Sequence, residues 1–169
     1  AAETAIGEYP IRCTTMVSRL INVFNQNRDL NTILPSSDSH IIEPHGGKLI
    51  NRISSINDID NIALIKQIKV KQSVLMDCEQ ISYGTYSPIE GFMDKETLDS
   101  VLDNYSLPEG TIWTLPIILQ LSTSQCETIL PGERVALTTE EGEIHSIIDV
   151  EEIFTFKFNE LAKRWYGTA

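Results

Sequence analysis

Ser87-Pro88-Ile89-Glu90-Gly91-Phe92-Met93 is the stretch from which the rest of the chain can be laid out. Pro88 holds φ at about −65° and lacks a backbone donor, whereas Gly91 tolerates a left-handed backbone. Ile89, Phe92 and Met93 bring three large apolar side chains into seven residues, more than a solvated surface loop carries. The heptapeptide therefore reads as a rigid turn pinned into a core. A helical pattern enters it over residues 72–83, with Val74, Leu75, Cys78 and Ile81 on one face and Gly84 as its C-cap. A second helix leaves it, capped by Asp94 and turning Leu98, Val101 and Leu102 inward.

The composition around this turn is that of a globular chain. With 169 residues, 41% of them apolar and 22% charged, there is length for one folded domain and some appendage. No apolar run approaches the roughly 18 residues of a membrane span, and Ala1 to Pro10 lack the basic flank and apolar stretch of a leader. Cys13, Cys78 and Cys126 are odd in number and far apart, with no Cys-x-x-Cys pair, which points to free thiols in a reducing cytoplasm and against a zinc site. The net charge is −11, and residues 94–153 hold 13 acidic side chains against Lys95 and Arg134, so this half carries the whole excess. Such a surface repels phosphates, and nucleic acid is not the expected partner. The acidic run reads as a solvated face that keeps the domain soluble.

Toward the N-terminus, Pro10 suits a first helical turn, and Cys13, Met16, Val17, Leu20, Ile21 and Phe24 recur at helical spacing, so residues 1–26 are expected to hold a helix. Glu3-Thr4-Ala5-Ile6-Gly7-Glu8-Tyr9-Pro10 resembles the pyruvate kinase signature that joins the last strand of the catalytic barrel to its last helix. The resemblance covers residues 2–24 only and lacks the lysine and metal-binding carboxylates of that family. It implies the tail of a longer polypeptide that transfers no phosphoryl group. Residues 27–42, with Pro35-Ser36-Ser37-Asp38-Ser39, read as a linker.

A new unit begins at Glu43-Pro44-His45-Gly46-Gly47-Lys48, where two glycines beside a proline force a tight backbone course before Leu49, Ile50 and Ile53 enter a core. Gly46-Gly47-Lys48 lacks the upstream glycine and the following Ser or Thr of a phosphate loop, and His45 reads as a turn residue with no group spaced to orient it as a base. Ser55 and Asp58 open a capped helix to about Gln67, and Ile68-Lys69-Val70 form a short strand. Residues 113–121 are strand-like, with Pro116 at an edge or bulge. A turn at Pro131-Gly132-Glu133 leads to a strand over 134–138, a hairpin connection over 140–143, strands over 144–150 and 151–157, and a closing helix over 159–165. The expected class is α+β, its strands curled into a small barrel with several peripheral helices.

Six blocks then carry a second resemblance: Pro44-His45-Gly46-Gly47, Gly84 to Met93, Gly110 to Ile117, Pro131 to Leu137, Val150 to Ile153, and Tyr166-Gly167-Thr168. In order and spacing they are similar to the N-terminal, PUA-like domain of ATP sulfurylase (sulfate adenylyltransferase) over residues 43–169. One departure is Thr85, which stands where a second glycine is commoner. The resemblance implies a role in sulfate assimilation, since the complete enzyme joins sulfate to the AMP part of ATP and releases pyrophosphate. It makes Pro44, His45, Gly46, Gly47, Ser87, Pro88, Gly91, Phe92 and Met93 structural motif residues. No catalytic, cofactor-binding or metal-binding residue is assigned, because the Gln-x-Arg-Asn-x-x-His and His-x-x-His stretches of the catalytic domain do not occur before Ala169. No cofactor is expected in this chain; ATP and Mg²⁺ belong to the complete enzyme. The implied partners are the C-terminal catalytic domain and further copies of the chain, with no membrane. The alternative class is a stand-alone PUA-like module that binds a protein or nucleic acid. Tyr86, Phe92, Trp113 and Trp165 are expected in packing, not in a ligand box.

Overall fold

The computed structural model describes residues 11–16, 21–22, 42–54 and 64–168, the first two stretches as backbone only. In chain order the elements are β1 (Ile11–Met16), β2 (Ile21–Asn22), β3 (Lys66–Lys69), α1 (Gln72–Ser82), α2 (Lys95–Asn104), β4 (Leu119–Leu121), α3 (Thr123–Cys126), β5 (Arg134–Thr138), β6 (Ile144–Phe156) and α4 (Phe158–Tyr166). The chain forms two compact units: one from Ala1–Val17, Phe92–Glu133 and Asp149–Ala169, the other from Ser18–Gly91 and Arg134–Ile148.

In the first unit β1 lies between β4 and the second half of β6, antiparallel to both, with Thr14 opposite Leu119 on one side and Ile153 on the other. Thr15 pairs with Glu152 and Met16 with Val150, so Glu151 is an extra residue that bulges out of the ladder. Residues 144–150 and 151–157, expected as separate strands, are thus one bulged strand from Ile144 to Phe156. Leu119 and Leu121 face a core with Phe92, Leu98, Val101 and Val150. Asp94 caps α2 by accepting from the Thr97 amide at 2.7 Å. α4 is tied to α2 electrostatically, since the Arg164 guanidinium meets Asp99 at 2.6 Å and Asp103 at 2.7 Å.

In the second unit β3 runs parallel to β5, with Ile68 opposite Leu137. β5 turns into β6 through a hairpin closed by the Thr139 amide on the Glu143 carbonyl at 2.9 Å, and β6 pairs antiparallel with β2, Ile21 opposite Ile147. Leu75, Cys78 and Ile81 form the buried face of α1 beside Val135, Leu137 and Ile147 in the same unit's core.

Four expectations are corrected. The helix expected within residues 1–26 is absent where the backbone is described: residues 11–16 and 21–22 are strands paired with β6. Apolar spacing allowed a helix there, but Ile11, Thr14, Thr15 and Ile21 are β-branched and favour an extended backbone that a neighbouring strand can pair. Lys66 and Gln67 belong to β3 and not to a helix end. The rest of the helix expected from Ser55, and residues 27–41 of the expected linker, lie outside the described residues. Only Leu119–Leu121 of the strand expected over 113–121 pairs as a strand, because Pro116 offers no donor and Trp113 turns its amide back to the Tyr105 carbonyl at 2.8 Å. The barrel is the fourth: the mixed sheet is open, and neither unit's strands close on themselves among the described residues. The helical turn α3 was legible but unread, since Ser122 and Gln125 form a capping box.

Replacing Asp94 by Ala removes the cap of α2 and should lower stability by about 1 kcal/mol, read as a lower midpoint of denaturant unfolding with the slope unchanged.

Candidate functional site

The motif residues of the second unit converge on the start of the anchor turn. Pro44 to Gly47 form a short 3-10 turn in which the Gly47 amide returns to the Pro44 carbonyl at 2.8 Å. Gly46 has φ of 69°, and a Cβ there would meet Pro88 Cγ at 2.6 Å, so the proline ring packs on bare backbone. Gly84 is more constrained still: φ is 81° and a Cβ would lie 2.2 Å from the Ile50 carbonyl oxygen. Ser87 joins the two segments, accepting from the Ile50 amide at 2.9 Å and donating to the Gly84 carbonyl at 2.6 Å. Further along, the Arg52 amide donates to the Ser82 carbonyl at 2.9 Å.

Glu90 completes this clasp. Its carboxylate takes Lys48 on one oxygen and Arg52 on the other. The hydrogen bond from Lys48, aided by the charge of Arg52 and opposed by partial burial, holds the Glu90 carboxyl below the usual carboxylate range. Pro88 follows a cis peptide bond, and Ile89 is buried while His45 is exposed. α1 ends at Ser82 with Tyr83 as its C-cap, so Gly84 sits one residue beyond the cap expected of it. Phe92 and Met93 belong to the first unit, where both are buried and the Met93 amide donates to the Ile117 carbonyl at 2.8 Å.

The aromatic residues have separate structural tasks. Tyr86 donates to Asp77 at 3.2 Å, the Trp113 indole donates to the Leu115 carbonyl at 2.6 Å, and Trp165 stacks on Tyr166 with centroids 4.5 Å apart. Trp113 is half-buried in an extended loop and does not begin a strand.

A polar cluster that the sequence reading missed lies inside the second unit. His145 is 2% exposed and Ser146 is fully buried. The Nδ1 atom of His145 is 2.7 Å from Ser146 Oγ, and its Nε2 is 3.4 Å from Glu79 Oε1 on α1. Burial pushes the Cys78 thiol up to about 12, against a lowering influence of Ser146. Burial also lowers His145 from its ordinary value, against the opposing pull of Glu79. Glu79 stands 66 positions from His145, and no local pattern signals that they meet. The trio of carboxylate, imidazole and hydroxyl has the connectivity of a nucleophilic relay, but the hydroxyl is sealed from any substrate, and the geometry supports a structural hydrogen-bond chain instead.

Among the described residues no group of three His, Cys, Asp or Glu could hold a metal ion, and no helix is long and apolar enough to cross a membrane. What remains is an α+β chain with an open mixed sheet, its second unit braced by a glycine-dependent clasp. Residues 42–169 match the family model of the PUA-like domain, and the chain belongs to that family. Its relatives include the sulfate adenylyltransferase of Persephonella marina (strain DSM 14350 / EX-H1), 32% identical over 132 residues that cover 76% of this chain and 34% of that protein. The sulfate adenylyltransferase of Staphylothermus marinus (strain ATCC 43588 / DSM 3639 / JCM 9404 / F1) is 35% identical over 134 residues, again 76% of this chain and 34% of the relative. The chain thus spans about a third of the length of the curated relatives it matches. Hexameric APS kinase from Thiobacillus denitrificans shares the fold, with a TM-score of 0.57 at 24% identity over 68% of this chain and 27% of that one. These matches give no support to the pyruvate kinase likeness of residues 2–24.

Gly84→Ala should destabilise the protein by about 3 kcal/mol or more, since the new methyl must both clash with Ile50 and hold a left-handed backbone; thermal and denaturant unfolding will read it. Glu90→Gln tests the clasp by pH. Because the folded carboxyl titrates below 4.5, its stabilisation is complete above that value and is lost as pH falls through the folded one. The carboxylate is partly solvated, so the variant should lose about 1 kcal/mol or less near neutrality and show a flatter acid limb than the native protein.

Proposed function

We propose that this chain is the non-catalytic PUA-like domain of a sulfate adenylyltransferase, the enzyme that makes adenosine 5′-phosphosulfate and pyrophosphate from ATP and sulfate. The observation that carries this reading is the 32–35% identity to enzymes of that name over three quarters of the chain. The chemistry of the site supports a supporting role. Sulfate attacking an α-phosphate crowds negative charge that converging cations, with Mg²⁺, must stabilise. Here Lys48 and Arg52 are turned onto Glu90, and Arg164 onto Asp99 and Asp103, all carboxylates of the same chain. Among the described residues no group of three His, Cys, Asp or Glu could hold a metal ion, and no step of the reaction is assigned to them. The domain instead buttresses a catalytic portion of the longer enzyme and its assembly with further copies, in the cytoplasm.

Two assays of pyrophosphate release from ATP, sulfate and Mg²⁺ test this. The 169-residue chain alone should give none, whereas the product of the parent reading frame should turn over. Turnover by the chain alone would sink the non-catalytic assignment. An inactive parent protein would sink the enzyme assignment.

A further inference from the structure

We propose that Ser146, His145 and Glu79 form a one-way hydrogen-bond chain that fastens α1 to β6 and lets go in acid. The direction follows from what each group can do. A carboxylate only accepts, so the hydrogen between Glu79 and His145 sits on Nε2 of the ring. The neutral ring then accepts at Nδ1, and Ser146, 2.7 Å away, must donate to it. Every group in the chain has one compatible role while the ring is neutral.

A proton on Nδ1 reverses the middle of the chain. The ring becomes a donor at both nitrogens, and Ser146 must swing its hydrogen away from Nδ1. A cation is then held in a site that is 2% exposed, beside one carboxylate at 3.4 Å. From α1, Glu79 faces the ring, while Asp77 is engaged by Tyr86. Val135 to Thr138 of β5 carry no ionisable side chain, nor do the two residues of β2, Ile21 and Asn22. Opening α1 lets the ring take up its proton in water, so acid favours opening. The sign agrees with a ring whose folded-state affinity for protons is lowered from 6.5: stability is complete above that value and declines as pH falls below it, down to the folded value.

The experiment uses the whole chain. Nitrogen NMR of the His145 ring at neutral pH should report hydrogen on Nε2 and a bare Nδ1; hydrogen on Nδ1 would overturn the proposal. Amide exchange, corrected for its intrinsic pH dependence, should then show α1 opening rising by up to about tenfold for each pH unit below about 6.5, with α2 much less affected. Equal acceleration of α1 and α2 would refute it. His145→Gln should flatten the α1 response. If that variant does not fold, Ser146→Ala takes its place, and an acid response of α1 as steep as in the native chain would refute the proposal.

Discussion

The second unit depends on a backbone approach that only the smallest residue permits. The Ile50 carbonyl oxygen sits where a side chain on residue 84 would begin, and the Ser87 hydroxyl, close to the same spot, links the two segments of chain. The hydroxyl satisfies the buried Ile50 amide, which would otherwise carry a desolvation cost of about 1–3 kcal/mol, and adds a second donor to the Gly84 carbonyl beside the Ser87 amide. The end of α1, the Pro44–Gly47 turn and the Glu90 clasp all inherit their positions from this contact. That is why the motif couples glycines with a serine and a proline: each is there for the space or the hydrogen bond it leaves to the backbone of another segment.

Charge is handled differently in the two units. In the first, Arg164 is shared between Asp99 and Asp103 at the surface, and Lys95 adds a further contact to Asp99 at 2.5 Å. Burial opposes ionisation of Asp99, yet the hydrogen bonds from Lys95 and Arg164 outweigh it and keep that carboxyl low. Such exposed pairs are weak singly and sensitive to salt, so the α2–α4 contact is one that ionic strength can tune. The second unit pairs charges at its surface too, in the Glu90 clasp, but it also buries His145 and Ser146, where a single proton on the ring changes which neighbours can be satisfied. Lys48, Arg52 and Arg164 are each turned onto carboxylates of the same chain, which is the ground for the supporting role proposed for it.

Local rules carried the sequence reading a long way. Asp94 as a cap, the periodic faces of α1 and α2, the β5–β6 hairpin and the buried Ile89, Phe92 and Met93 all follow from spacing and from the backbone freedom of single residues. The six blocks likewise led to the PUA-like family before any fold was in hand. Where the reading failed, two local signals competed. Residues 11–24 have apolar positions that fit a helix and β-branched residues that fit a strand, and a pairing partner more than 120 positions away tips the balance.

Sequence alone therefore determined the turns, the caps, the apolar faces and the family, because each of these is written within a few residues or in the order of blocks along the chain. Tertiary structure decided which strands pair, that the sheet stays open, and that the buried His145 meets Glu79 of α1. Those outcomes rest on contacts between distant segments, where burial and hydrogen-bond satisfaction outweigh the small preferences of any single residue.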